Sequence, residues 1–230
     1  MLTSADVFIR IKALGEQLRL ALRQQPSYRR ENFVVSDCNR EAAARIGAWP
    51  RWTAPALVLV GPAGSGKTHL ASPWAERAKA QVIEGETLAD GVAGPLLIED
   101  ADRAPAGEAL FHLLNRTTRP EAGVLLTART RPSDWPTALP DLRSRLNALA
   151  VVELGEPDDG VMDSVLRRLF EERVITPSPE LIAYLRARIE RSVPAAREAV
   201  ERLEAASIAQ GRPINRGLAR TLFADPVAEE

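Results

Sequence analysis

Five consecutive apolar residues, Ala56 to Val60 (ALVLV), run straight into Gly61, Pro62, Ala63, Gly64, Ser65, Gly66, Lys67 and Thr68, after which His69 and Leu70 open a stretch with helical spacing. An uninterrupted apolar run reads as a strand covered on both faces, the habit of parallel sheets. The octapeptide matches G-x-x-x-x-G-K-[ST], and the match has the setting it needs, a strand before it and a helix after it. Its glycines let backbone N–H groups converge, and the positive end of the following helix adds to their field. The combination points to a phosphate-binding loop in which Lys67 reaches the β and γ phosphates and the Thr68 hydroxyl ligates Mg²⁺. Only three lysines stand against twenty-seven arginines. One of them sits where a compact ammonium fits between phosphates better than a guanidinium does.

Further short apolar runs occur at Gln81–Ile83, Leu96–Ile98, Val124–Thr127 and Ala150–Leu154, with helical spacing over Lys67–Lys79, Pro105–Asn115 and Leu139–Leu146. This alternation predicts a doubly wound α/β domain around a five-stranded, mostly parallel sheet. After Glu156 the pattern is helical throughout, broken near Thr176–Pro179, Ser192–Pro194 and Gly211–Pro213. It predicts a small all-α domain. Ahead of the sheet lie a possible helix over Ser4–Gly15, an arginine-rich polar stretch and a helical pattern over Cys38–Ile46. The expected division is an N-terminal segment at 1–27, the α/β domain at 28–156 and the helical domain at 157–230.

Composition removes several function classes. A net charge of -1 over 230 residues gives no global field to hold nucleic acid. From Arg10 to Arg51 nine basic residues face four acidic ones, a local excess that reads as a solvated linker. Cys38 is alone, and with His69 and His112 as the only histidines neither a disulfide nor a zinc site is expected. Asp6, Arg10, Lys12 and Glu16 interrupt the N-terminus, and no run of eighteen apolar residues exists, so a cytoplasmic protein without membrane contact is expected.

A phosphate loop needs a carboxylate at a nearby strand end to hold the Mg²⁺ shell and polarise water. Leu96 to Asp102 reads LLIEDAD, which puts Glu99 and Asp100 at a strand's carboxyl edge, beside the loop if the two strands are neighbours. Thr127 ends the apolar run VLLTA, a position from which a hydroxyl could orient the attacking water. Arg145, in LRSRL near the end of a short predicted helix, could reach a neighbouring subunit's nucleotide and supply transition-state charge in trans.

The runs NFVVSDCNREAAARIGAW, LVLVGPAGSGKTHLA, LLIEDADRA and DLRSRL, followed by a helical lid, resemble the AAA+ module of the replication initiator DnaA over roughly Tyr28 to Phe223. The resemblance implies a AAA+ P-loop NTPase that binds ADP or ATP with Mg²⁺ through Gly61 to His69. It also implies that Arg197, in PAAREAV, is the lid arginine that reaches the phosphates. No counterpart of DnaA's helix-turn-helix domain follows before Glu230, so the chain is similar to regulators of the Hda (HdaA) type. Those act with the DNA-loaded sliding clamp to stimulate hydrolysis of DnaA-bound ATP, and Arg145 becomes the arginine offered to that ATP. Gln17 to Leu22 (QLRLAL) is similar to the family's clamp-binding peptide. Gln17 would bond at the pocket rim while Leu18, Leu20 and Leu22 enter it. The same residues also read as the end of an amphipathic helix from Ala13. The implied partners are DnaA, the clamp's β subunit and a possible second copy, with no sequence-specific DNA contact.

Two departures bear on activity. The order Glu99-Asp100 differs from DnaA's paired aspartates, which weakens turnover at this site, and the segment between Ile83 and Leu96 is too short for the initiators' extra helix, which weakens single-stranded DNA binding. Two other readings stay open: a self-sufficient DnaA/DnaC-like ATPase such as a helicase loader, and a clamp-binding adaptor with a vestigial pocket.

Overall fold

Burial sorts the strands before their order is known. In the computed structural model, which describes residues 33–88, 94–104, 107–117 and 123–223, β1 (Ala56–Val60) and β4 (Val124–Ala128) are buried at every position. β3 (Leu96–Glu99) is buried except at its last residue. β2 (Gln81–Glu84) is exposed at Gln81, Val82 and Glu84, and β5 (Ala150–Glu153) is only partly covered. Strands of the first kind suit the middle of a sheet, those of the last kind its edges. The sheet runs β2-β3-β4-β1-β5 with every pairing parallel. The expected parallel α/β sheet is present, but β1 and β3 are not neighbours, the condition on which the sequence sets Glu99 and Asp100 beside the loop. β4, apolar along its whole length, occupies the slot between them.

The helices that precede the last strand are α1 (Arg40–Gly47), α2 (Lys67–Ala78), α3 (Glu108–Arg116) and α4 (Pro140–Asn147). Alternate residues of each inner strand face opposite sides. Val58, Val60, Ile98 and Leu126 pack with Leu110 and Leu114 of α3 and Leu142 and Leu146 of α4. Leu57, Leu59, Leu97 and Leu125 pack with Ile46 of α1, Leu70 and Trp74 of α2, and Trp52.

Four more helices follow: α5 (Asp159–Glu171), α6 (Pro179–Arg186), α7 (Val193–Gln210) and α8 (Arg216–Leu222). They close on a core of their own, with Met162, Leu166, Phe170, Leu181, Leu185, Val200, Leu203 and Leu218 buried together. Each begins at a side-chain cap: Asp158, Ser178, Ser192 and Asn215 accept the N–H of Val161, Leu181, Ala195 and Leu218. A cap of this kind contributes about 1 kcal/mol. Among the described residues no helix is long and apolar enough to cross a membrane. The expected Ser4–Gly15 helix and Gln17, Leu18, Leu20 and Leu22 lie outside them.

Candidate nucleotide-binding site

The loop from Gly61 to Gly66 joins β1 to α2 and is tied to the sheet at its start, where the Gly61 N–H donates to the Ala128 carbonyl at 3.1 Å. A Cβ on Gly61 would lie 2.5 Å from the Leu154 carbonyl oxygen, so this position has no room for a side chain. Gly64 and Gly66 take φ of +73° and +98°, which only glycine adopts freely. Gly66 caps α2 without any side-chain bond, leaving the first-turn amides open to an anion. Lys67, 8% exposed, donates its ammonium to the carbonyls of Gly61 at 2.8 Å and Pro62 at 2.9 Å. Burial pulls its pKa below the ordinary lysine value, while Asp100, Asp102 and Glu99 oppose that shift and Arg129 adds to it.

The Thr127 hydroxyl, fully buried, donates to Glu99 Oε2 at 2.5 Å and accepts the Asp100 N–H at 3.1 Å. Thr68 donates to the same carboxylate oxygen at 3.4 Å. β4 therefore closes the gap between β1 and β3 with one hydroxyl, and the length of glutamate brings its carboxylate to the loop although the strands are not adjacent. The other oxygen, Oε1, is buried with no hydrogen-bond partner, as is Ser65 Oγ. Burial raises the Glu99 pKa above the ordinary carboxylate value, against the bonds from Thr127 and Thr68, with Glu84 and Asp100 adding to the rise. An orphaned carboxylate oxygen beside the Thr68 hydroxyl is a donor set that fits a hard divalent cation such as Mg²⁺. Thr68 and Glu99 are the residues that would hold it.

Asp100 diverges from Glu99. Its backbone is left-handed (φ 48°, ψ 48°), and its carboxylate lies 3.7 Å from the Arg103 guanidinium, which is also 3.7 Å from Glu86. Sequence reasoning passed over Asp102. Its Oδ2 accepts the Arg129 N–H at 3.0 Å while Oδ1 is buried and unbonded, so it ties the end of β3 to the end of β4. The second aspartate of LLIEDAD was the available signal.

Sequence reasoning also missed the contact between lid and loop. The Val193 N–H donates to the Gly64 carbonyl at 3.1 Å, and a Cβ on Gly64 would lie 2.7 Å from Ser192 Cβ and 2.8 Å from Pro194 Cδ. Arg197, one turn further along α7, is half-buried and makes no ion pair or hydrogen bond with the described residues. His69 meets the Phe33 ring edge-on at 5.7 Å. From Phe33 the chain runs to the hinge of the lid, where the Gly155 N–H donates to the Cys38 carbonyl at 3.0 Å. There the Ser36 hydroxyl, the Val161 N–H and Cys38 hold Asp158 below the usual carboxylate range.

The two arginines of LRSRL have separate fates. Arg143 is consumed locally, donating to the carbonyls of Ser133 and Trp135 at 2.5 and 2.6 Å. Arg145 is exposed, and its guanidinium lies 5.7 Å from the Phe111 ring centroid.

Gly61 to Gly66, Lys67, Thr68, Glu99 and Thr127 thus come together around one loop, with Gly64 touching the lid. The solved structure of domain III of Thermotoga maritima DnaA superposes with a TM-score of 0.68 at 19% identity, covering 89% of this chain and 99% of that one. The chain shares the fold of domain III of DnaA. Its sequence is related too, at 22% identity to the chromosomal replication initiator protein DnaA of Cutibacterium acnes, over 90% of this chain and 48% of the relative. It spans about half the length of the curated DnaA relatives it matches. DnaA from Aquifex aeolicus, solved with AMPPCP bound, superposes with a TM-score of 0.65 at 20% identity, covering 80% of this chain and 67% of that one. No family model matches the chain.

Proposed function

We propose that this chain is a cytoplasmic regulator of the Hda type, which binds ADP or ATP with Mg²⁺ at its own loop and presents Arg145 to ATP held by DnaA. The observation that carries the reading is the contrast within LRSRL. Arg143 is spent on two backbone carbonyls, whereas Arg145 stands exposed with no carboxylate partner among the described residues. An arginine so placed is available to a second molecule's phosphates, where it supplies charge in the transition state. Asp100 is drawn toward Arg103 and Thr127 is occupied by Glu99, an arrangement that favours holding nucleotide over turning it over. The bound nucleotide would then set the angle between sheet and lid through Gly64 and Arg197. Gln17, Leu18, Leu20 and Leu22 would dock on the sliding clamp and bring the regulator to DNA.

The experiment is phosphate release from ATP-loaded DnaA, with and without this protein, in the presence and absence of clamp loaded on DNA. Acceleration that depends on the clamp is expected. No acceleration, accompanied by steady turnover of ATP by this protein alone, would replace the reading with a loader-type ATPase.

A further inference from the structure

The lid carries eleven arginines, and among the described residues five of them have carboxylates to answer them. Arg168 pairs with Glu172, Arg173 with Glu201 and Glu204, Arg186 with Asp159 and Asp163, Arg191 with Asp159, and Arg202 with Glu198. Arg188 and Arg216 differ. Both are exposed, neither has a carboxylate within 4.0 Å among the described residues, and both lie against the ring of Tyr184, at 4.0 and 5.8 Å from its centroid. Arg220, one turn after Arg216 on α8, is exposed and likewise unpaired. Two guanidinium groups over one ring stand within ~10 Å of each other, about one Debye length at 0.1 M salt, so their repulsion is poorly screened. Glu180, one turn before Tyr184, is the acid whose field reaches Arg216, and it leaves the face with a positive excess.

We propose that this face of the lid, formed by Arg188 and Arg216 against Tyr184 and by Arg220 one turn along α8, binds the phosphodiester backbone of nucleic acid without reading sequence. The platform is fixed in advance. Tyr184 is 7% exposed and donates its hydroxyl to the Phe223 carbonyl at 3.2 Å, so the ring cannot swing. A guanidinium stacked on a ring keeps its N–H edges free and is already ordered, which lowers the entropy cost of gripping a phosphate. An acidic protein is the other polyanion to weigh. Protein interfaces desolvate an apolar centre, and the large apolar residues exposed among those described (Val34, Val35, Val82, Val174 and Ile208) include none on α6 or α8. Phosphate contacts need no such centre.

The test is fluorescence anisotropy of a short labelled DNA duplex with the full chain over a salt series, beside the triple variant R188Q/R216Q/R220Q and its lysine counterpart R188K/R216K/R220K. Removing three phosphate contacts is expected to weaken binding roughly tenfold or more at low salt and to lower the slope of log affinity against log salt by about 2 to 3. The lysine variant keeps the slope, because a cation remains at each position. Equal thermal midpoints for the three proteins separate charge from folding. Unaltered affinity and slope in the glutamine variant place any DNA binding elsewhere and overturn the proposal. So does an absence of DNA binding by the unsubstituted chain, whether or not poly-glutamate binds in its stead.

Discussion

Glu99 shows how one methylene changes the work of a site. With β4 between β1 and β3, a carboxylate on β3 has a strand's width to cross, and glutamate crosses it to meet Thr127 and Thr68. Burial then makes the carboxyl bind its proton more tightly in the folded than in the unfolded chain. Folded protein holds the extra proton in the window that starts at the ordinary carboxylate value and extends upward, so stability of the nucleotide-free protein falls as pH rises through it. Glu99→Gln should flatten that decline and remove the Mg²⁺-dependent part of nucleotide affinity. Urea melts across acid to neutral pH and calorimetric titration with ADP measure the two effects; an unchanged pH slope in the variant would assign the proton to another group. The loop was legible in the sequence because strand, glycines, lysine and threonine are contiguous. The Thr127 to Glu99 bond was not, since it depends on a strand order that no local pattern states.

At the scale of elements, the lid starts where capping residues stop the chain from continuing as helix, and the sequence breaks near Pro179, Pro194 and Pro213 fall at the starts of α6, α7 and α8. What those breaks could not convey is that the start of α7 is seated on the phosphate loop. Gly64→Ala should expose that contact, because it combines a strained φ with a Cβ inside van der Waals range of Ser192 and Pro194. A loss of about 2 kcal/mol is expected, with faster hydrogen exchange at the Val193 amide. Exchange no faster than in the unsubstituted protein would show that the lid does not lean on Gly64. At the far end of the lid, Val174 holds a φ of 59° while 95% exposed, a costly conformation for a β-branched side chain that buries nothing. Val174→Gly should therefore raise stability by about 1 kcal/mol in a denaturant melt.

For the molecule as a whole, the nucleotide loop and Arg145 are separable. Arg145→Ala should leave folding and nucleotide affinity as they are and remove stimulation of DnaA. Arg143→Ala, which strands two carbonyls, should cost about 1 to 2 kcal/mol of stability. Retained stimulation by the first variant would move the trans-acting role to another residue. The sequence singled out Arg145 by resemblance; what it could not convey is that the turn Pro132–Asp134 captures its neighbour Arg143, because that contact is made ten residues away along the chain. The sheet order has a last consequence, for the newborn chain. β1 is held by β4 on one side and β5 on the other, and the nearer of these in sequence begins only at Val124. No hairpin can nucleate such a sheet, and closing so long a loop is slow. The phosphate loop hangs from β1 and is anchored by the Ala128 carbonyl. During synthesis the ribosome must therefore have passed well beyond the middle of the chain before a nucleotide has anything to bind.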